Sequence, residues 1–211
     1  MTVSHSAVVR AEDAIDREYR IKAAFVYNFL KFVEGGRFAP APGRKKDEVD
    51  PNDPLVIGVL GVPPSRIAFE EFNGRQIGNR VVVVRWFKGF EELAGKDENI
   101  PERHPDLDRI KVCHVLFLCP SERVFLPRVL PHLRESGMLT VGDVPLFLEN
   151  GGTINLLIEE RKVRFEINLA AAARAKLEIR SSLLRLAVRT VEHDQLAQQK
   201  DEEDPGGAGR P

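Results

Sequence analysis

The sequence is poor in the residues on which disulfide-rich, metal-binding and membrane-spanning proteins depend. Its 211 residues include only two cysteines, Cys113 and Cys119, which is too few for a disulfide framework. No apolar run reaches the roughly 18 residues that a membrane-spanning helix needs. The five histidines show no partner spacing typical of zinc sites. We therefore expect no membrane insertion, no metal and no cofactor.

Neither positive nor negative charge is in excess. Thirty-one basic and 32 acidic residues leave a formal net charge of −1, so composition gives no support for a nucleic-acid partner. No Ser/His/Asp set, carboxylate pair or Cys/His nucleophile has a recognisable pattern. The sequence therefore predicts a protein that is not an enzyme.

The two ends of the chain differ in composition from its middle. Residues 1–10 hold no apolar run of signal-peptide length. This predicts a cytoplasmic chain if that start is genuine, and a periplasmic one if a further segment precedes it. We predict disorder for residues 1–14 and for the acidic, Gly/Pro-rich residues 192–211. Residues 15–191 are then one domain, with a flexible Pro/Gly/charge-rich loop at 34–54.

A helix is predicted over residues 19–32, and it is apolar nearly all round. An ordinary surface helix has one apolar stripe, so this one is expected to lie between other elements. Its polar positions admit two interpretations. Tyr27, Asn28 and Lys31 either belong to a recognition surface or sit on a buried helix whose asparagine is satisfied.

Downstream, short apolar runs alternate with helical segments and then give way to a hairpin. This order predicts an α/β fold, with a mostly parallel sheet, helices on both faces and a C-terminal antiparallel hairpin at the edge. Asn168 is predicted to cap a helix at 169–175. A last helix, capped by Ser181 or Ser182, is expected to run to Val191. Strands are predicted at 55–60, 81–86, 112–118, 138–141, 153–158 and 163–167, and further helices after Ser65 and at 124–135.

Ligands of open parallel sheets bind beyond the carboxyl ends of the strands. That rule selects four candidate ligand-binding residues, for which capping or surface solvation is the alternative: Ser65, Ser121, Arg123 and Asp143. Asn155, Arg164 and Glu166 are further polar groups that could converge with Asp143.

The two cysteines are candidate redox residues. Six residues of extended strand span roughly 20 Å, while a disulfide needs Cα atoms within about 7 Å, so no bridge between them is predicted. Cys113 is expected in the core. Cys119 is expected either to be exposed and reactive or to pair between chains. His114 should point to the opposite face from Cys113, which argues against a shared metal.

An ordered set of short blocks resembles the YfiR/HmsC-like family, the domain of unknown function numbered 4154. The resemblance covers residues 19–191. It begins with the YxxKAAFVYNFLKF segment at Tyr19 and continues through PLVIGVLG at Pro54. The later blocks are CHVLFL at Cys113, SE at Ser121, LTVGD at Leu139, GGTIN at Gly151, RFEIN at Arg164 and SSLL at Ser181.

The resemblance implies a periplasmic, non-enzymatic α/β domain that tends to dimerise. The best-understood members bind the periplasmic region of an inner-membrane diguanylate cyclase and hold it inactive, which lowers cyclic-di-GMP signalling, exopolysaccharide production and biofilm formation. The same class of partner and compartment is expected here. Some members carry disulfides, whereas this chain keeps Cys113 without an internal partner. The alternative hypothesis is a small-ligand-binding envelope sensor without a cyclase partner.

Overall fold

The computed structural model describes residues 5–39, 53–94 and 99–192, with side chains in the first helix from Glu12 onward. The helices are α1 (His5–Phe29), α2 (Ile67–Glu70), α3 (Phe90–Ala94), α4 (Leu107–Ile110), α5 (Leu126–Val129), α6 (Leu169–Arg174) and α7 (Ser181–Leu184). The strands are β1 (Val33–Gly35), β2 (Leu55–Leu60), β3 (Gln76–Ile77), β4 (Arg80–Phe87), β5 (Val115–Leu118), β6 (Leu139–Gly142), β7 (Ile154–Glu159), β8 (Lys162–Asn168), β9 (Leu177–Ile179) and β10 (Arg189–Val191).

The central sheet confirms the predicted fold class. Its strand order is β10-β8-β7-β6-β5-β2-β4-β3. Strands β4, β2, β5, β6 and β7 are parallel neighbours, while β7 and β8 form the antiparallel hairpin. The short strand β10 adds to β8 in parallel and lies outside the hairpin. A separate two-stranded ladder joins β1 to β9.

The sheet is covered on both faces because successive strand side chains point to opposite sides. On β2, Ile57 and Val59 pack in a cluster with α1 and α2, while Val56 and Leu60 pack in a second cluster with α3, α4 and α5. Every residue of β2 is buried. Strands buried on both sides explain the continuous apolar runs in the sequence.

Two boundary predictions need correction. Disorder was predicted through residue 14, but α1 begins at His5, since no proline or glycine interrupts residues 5–29. The predicted flexible loop at 34–54 contains ordered residues at its start, namely most of β1 and the 3₁₀ turn Gly36–Phe38. Residues 40–52 of that loop and 193–211 of the predicted tail lie outside the described residues.

Two predicted helices are also wrong in extent. The segment 124–135 is divided between α5 and 3₁₀ turns at Pro120–Phe125 and Leu130–Leu133. Pro127 and Pro131 each lie at the start of a new piece, because proline lacks the amide hydrogen that would continue the previous one. The last helix stops at Leu184, and Val191 belongs to β10, where the open edge of β8 supplies backbone partners.

Local signals in the hairpin region predicted the structure well. The Asn168 side chain accepts a hydrogen bond from the Ala171 amide at 2.9 Å, which confirms it as the N-cap of α6. The hairpin turns at Glu160 and Arg161, which both have positive φ, as the twist of a two-residue hairpin requires.

Candidate functional site

Helix α1 is anchored at the carboxyl end of β6 by a buried ionic cluster. The Tyr19 hydroxyl donates to Asp143 Oδ2 at 2.5 Å, and Lys22 Nζ donates to the same oxygen at 2.7 Å. Only 1% of the Asp143 side chain and 6% of the Lys22 side chain are exposed. Glu18, one turn back on α1, lies 2.6 Å from Lys22 Nζ. The polar residues of the opening helix therefore hold it against the sheet.

The electrostatics of this cluster favour a fixed structure over proton transfer. Burial and the Asp143 charge raise the pKa of Tyr19 above its ordinary value, so its hydroxyl stays protonated and keeps donating. Asp143 Oδ1 is buried and has no hydrogen-bond partner among the described residues. Asp143 therefore depends on Tyr19 and Lys22 for its stabilisation.

The other predicted ligand-binding residues also lie beyond the strands, but they contact different neighbours. The Ser65 hydroxyl donates to Asp16 Oδ1 of α1 at 2.5 Å. It makes no capping hydrogen bond to α2, which was an alternative role for it. Ser121 accepts a hydrogen bond from the Val62 amide and donates to Glu122. Arg123 is exposed. The hydrogen bonds thus do not join these residues into one group, and their ligand-binding role stays a prediction.

The polar residues of the hairpin form a second network beside the cluster. Asn155 donates to Glu166 across the hairpin at 3.0 Å and accepts from the Val144 amide at 3.2 Å. Arg189 of β10 donates to the other Glu166 oxygen at 2.7 Å. Arg164 does not join this network, and its Nε is buried without a partner in the described chain. The network therefore ties β6, β7, β8 and β10 together.

Both cysteines are buried, whereas Cys119 was expected either to be exposed and reactive or to pair between chains. Cys119 belongs to the α1 side of the core and Cys113 to the opposite side. Burial raises the pKa of Cys113 to about 12 and also raises that of Cys119, on which the nearby Asp143 charge acts in the same direction. A buried thiol with a raised pKa is a poor nucleophile, so neither residue has the surroundings of a redox centre.

A groove that the sequence analysis missed lies between α1 and the β7–β8 turn. Its volume is about 880 Å³, and it is bordered by Arg17 and Ile21 of α1 and by Ile158, Arg161 and Val163 of the hairpin. Ile21 is 42% exposed and Ile158 is 48% exposed. The signal that could have revealed it is Ile158, an isoleucine that directly precedes the polar turn.

The polar residues near the carboxyl end of α1 differ in their surroundings. Asn28 is exposed and accepts a hydrogen bond from Lys31 Nζ at 2.8 Å. Tyr27 stacks on Phe72 with ring centroids 4.7 Å apart and donates to the Gln76 carbonyl. The interpretation of a buried, satisfied asparagine is therefore wrong, and Asn28 lies on the surface.

Metal and membrane chemistry find no support in the part of the chain that the structure describes. Those residues contain no group of three or more His, Cys, Asp or Glu side chains that could hold a metal ion. Over the same ranges, no helix combines the length and the apolar character needed to cross a bilayer.

Comparisons with known proteins give one family match. The model of the YfiR/HmsC-like family, DUF4154, matches residues 19–188. No curated protein matches the chain.

Among solved structures, the chain is similar to the ABC domain in complex with L-Trp from Streptococcus pneumonia, with 14% identity and a TM-score of 0.48 over 64% of this chain and 55% of that one. It is also similar to a conserved domain protein from Vibrio cholerae O1 biovar El Tor, with 10% identity and a TM-score of 0.48 over 82% of this chain and 60% of that one. The matches thus span less than two thirds of either solved chain.

Proposed function

This chain belongs to the YfiR/HmsC-like family, and from that premise we propose that it is a non-enzymatic periplasmic regulator that binds and inhibits an inner-membrane diguanylate cyclase. Binding to the periplasmic region of the cyclase would lower cyclic-di-GMP and biofilm formation. The observation that carries the proposal is the family match over residues 19–188, which includes most of α1, the parallel strands and the hairpin. The family is consistent with a periplasmic regulator of cyclic-di-GMP signalling.

The groove between α1 and the β7–β8 turn is the surface that we assign to the cyclase. Its exposed isoleucines, Ile21 and Ile158, give apolar area. Charged residues of both signs border them, namely Arg17, Arg161 and Lys162 together with Asp13 and Glu18. An apolar centre with a polar rim is the usual anatomy of a protein–protein interface. The Lys22–Asp143 anchor fixes α1 against the sheet, so this surface needs no reordering before it binds.

A genetic complementation experiment tests both the function and the surface. Deleting the gene should raise cellular cyclic-di-GMP, and the wild-type gene should restore the original level. The Ile21→Glu and Ile158→Glu variants should fail to restore it, because each places a charge in the apolar centre of the interface. Cyclic-di-GMP is measured by mass spectrometry, and the level of each variant is checked by immunoblotting.

The matched control is Val124→Glu, which makes the same kind of change at a residue that is 71% exposed on the segment after β5. It should complement like the wild type. An unchanged cyclic-di-GMP level after deletion, under every growth condition tried, contradicts the proposed function. Full complementation by both isoleucine variants contradicts only the choice of surface.

The homodimer implied by the family is a further part of the proposal. Light scattering coupled to size-exclusion chromatography measures the mass of the purified chain directly. A mass near twice 23.7 kDa is expected, and a monomer at all concentrations would contradict it.

A further inference from the structure

A second depression lies at the opposite, amino edge of the sheet and is dominated by positive side chains. It has a volume of about 390 Å³ and is bordered by Arg37, Lys111, His132, Arg134 and Glu135. Lys111 follows α4 and precedes β5, while Arg134 follows the 3₁₀ turn that precedes β6. Three permanent cations thus face one carboxylate, on the far side of the sheet from the Asp143 cluster.

The fold brings the cations together through a close backbone contact. The Arg37 amide donates to the Gly137 carbonyl at 2.7 Å, which joins the turn after α1 to the turn before β6. A Cβ on Gly36 would lie 2.4 Å from the Gly137 carbonyl oxygen, and Gly36 has a φ of +46°. Only glycine permits this approach, so the position of Arg37 beside Arg134 is built into the chain.

These cations are not neutralised within the described chain. Arg37 Nε and Arg134 Nε are buried without a hydrogen-bond partner there. Neither arginine, nor Lys111, has a salt bridge among the described residues, although Glu135 borders the same depression. Buried guanidinium N–H groups without acceptors are costly. Both guanidinium groups border the depression, so an anion there would add the negative charge and the acceptor oxygens that the described residues do not supply.

We propose that this depression binds a tetrahedral oxyanion, the phosphate of a small phosphomonoester or free phosphate. Arginine presents a planar fork that matches phosphate oxygens, and lysine adds a compact point charge. Three cations from three chain segments can each take a different oxygen of a tetrahedral group. A planar carboxylate offers only two oxygens and leaves one cation unmatched. The site is separate from the surface assigned to the cyclase, so either can exist without the other.

Calorimetric titration of the whole chain tests the site. Inorganic phosphate and glycerol 3-phosphate are titrated at constant ionic strength set with chloride, and acetate serves as the planar anion. Both phosphates should bind at concentrations where acetate does not. The Arg134→Gln and Arg37→Gln variants should each lose at least about tenfold in affinity, because each loses a charge-assisted hydrogen-bonding group. Arg134→Lys should fall between Arg134→Gln and the wild type.

Two controls keep the result specific to the depression. Arg75→Gln removes one positive charge from an exposed residue next to the edge strand β3, and its affinity should equal that of the wild type. Glu135→Gln removes the one carboxylate of the depression and should bind more tightly. Should an arginine variant fail to fold by circular dichroism, Lys111→Gln replaces it with the same expected loss.

The relative affinities of the two phosphates identify the kind of site. Tighter binding of glycerol 3-phosphate identifies a phosphomonoester site, and equal or weaker binding identifies a free-phosphate site. The proposal is overturned if the wild type does not distinguish phosphate from acetate. It is equally overturned if Arg75→Gln loses as much affinity as Arg134→Gln, since binding would then follow net charge alone.

Discussion

The substitution Lys22→Met removes the cation of the buried cluster and keeps most of the volume of the side chain. Lys22 Nζ lies 2.7 Å from Asp143 Oδ2, and the two side chains are 6% and 1% exposed. At an effective dielectric constant of about 20, this separation corresponds to about 6 kcal/mol of gross attraction. Desolvation of both charges offsets part of it. Removing one partner of a buried pair typically costs about 3–5 kcal/mol, because the other charge stays buried and uncompensated.

Thermal and urea unfolding measure this cost. For a chain of this length each kcal/mol corresponds to about 2–4 °C in Tm, so Lys22→Met should melt about 10 °C below the wild type. The matched control is Lys31→Met, another lysine of the same helical region. Lys31 is exposed and contacts only Asn28 and the Tyr27 ring among the described residues. Its replacement should change the free energy of unfolding by less than about 0.5 kcal/mol.

A double-mutant cycle with Asp143→Asn completes the test. The double variant buries no charge in the cluster, so its destabilisation should be at least about 2 kcal/mol smaller than the sum of the two single effects. Additive costs would refute the interpretation of a coupled buried pair. So would a Lys22→Met variant as stable as Lys31→Met.

Three further predictions concern the scaffold. Gly36→Ala should destabilise the chain by several kcal/mol, because the new Cβ would meet backbone oxygens. Gly74→Ala, at a residue with positive φ but open space around it, should cost about 1 kcal/mol. The midpoints of urea unfolding measure the difference between the two variants. Burial, aided by the Arg80 charge, lowers the pKa of His114 from 6.5 to about 3. Below pH 6.5 the unfolded chain therefore binds a proton that the folded chain does not, and stability should fall by about 1 kcal/mol per pH unit down to pH 4. Replacing His114 by Gln should remove that component, and equal slopes would contradict it. Asn168→Ala should cost about 1–2 kcal/mol through loss of the α6 cap, and a neutral result in thermal melts would count against the capping role.

The sequence predicted the sheet because its strands have local signatures. The run at 55–60 matches β2, since a strand buried on both faces is apolar throughout. The Asn168 cap is likewise set by neighbouring residues. The family could also be recognised at this level, because its short blocks keep their order along the chain.

Predictions failed where the outcome depended on residues far apart in sequence. Val191 follows a helical pattern from Ser181, but it pairs with β8, whose open edge offers backbone partners. Cys119 occupies a strand end, and its exposure depended on how α1 and the sheet close over it. Ser65 and Asp143 were correctly placed beyond the strands, yet their partners on α1 could not be inferred from position alone.

By itself, the sequence determined the α/β class, the positions of most strands along the chain, the family resemblance, and the lack of any recognisable catalytic pattern. The fold class and the strands follow from periodicity and composition within short windows, and the family follows from the resemblance of the ordered blocks. Only the tertiary structure decided that Lys22 and Asp143, 121 residues apart, form a buried pair. It likewise decided that Arg37 and Arg134 border one depression and that Ile21 and Ile158 border another. Burial and charge pairing arise from contacts between distant segments, and no local pattern encodes them.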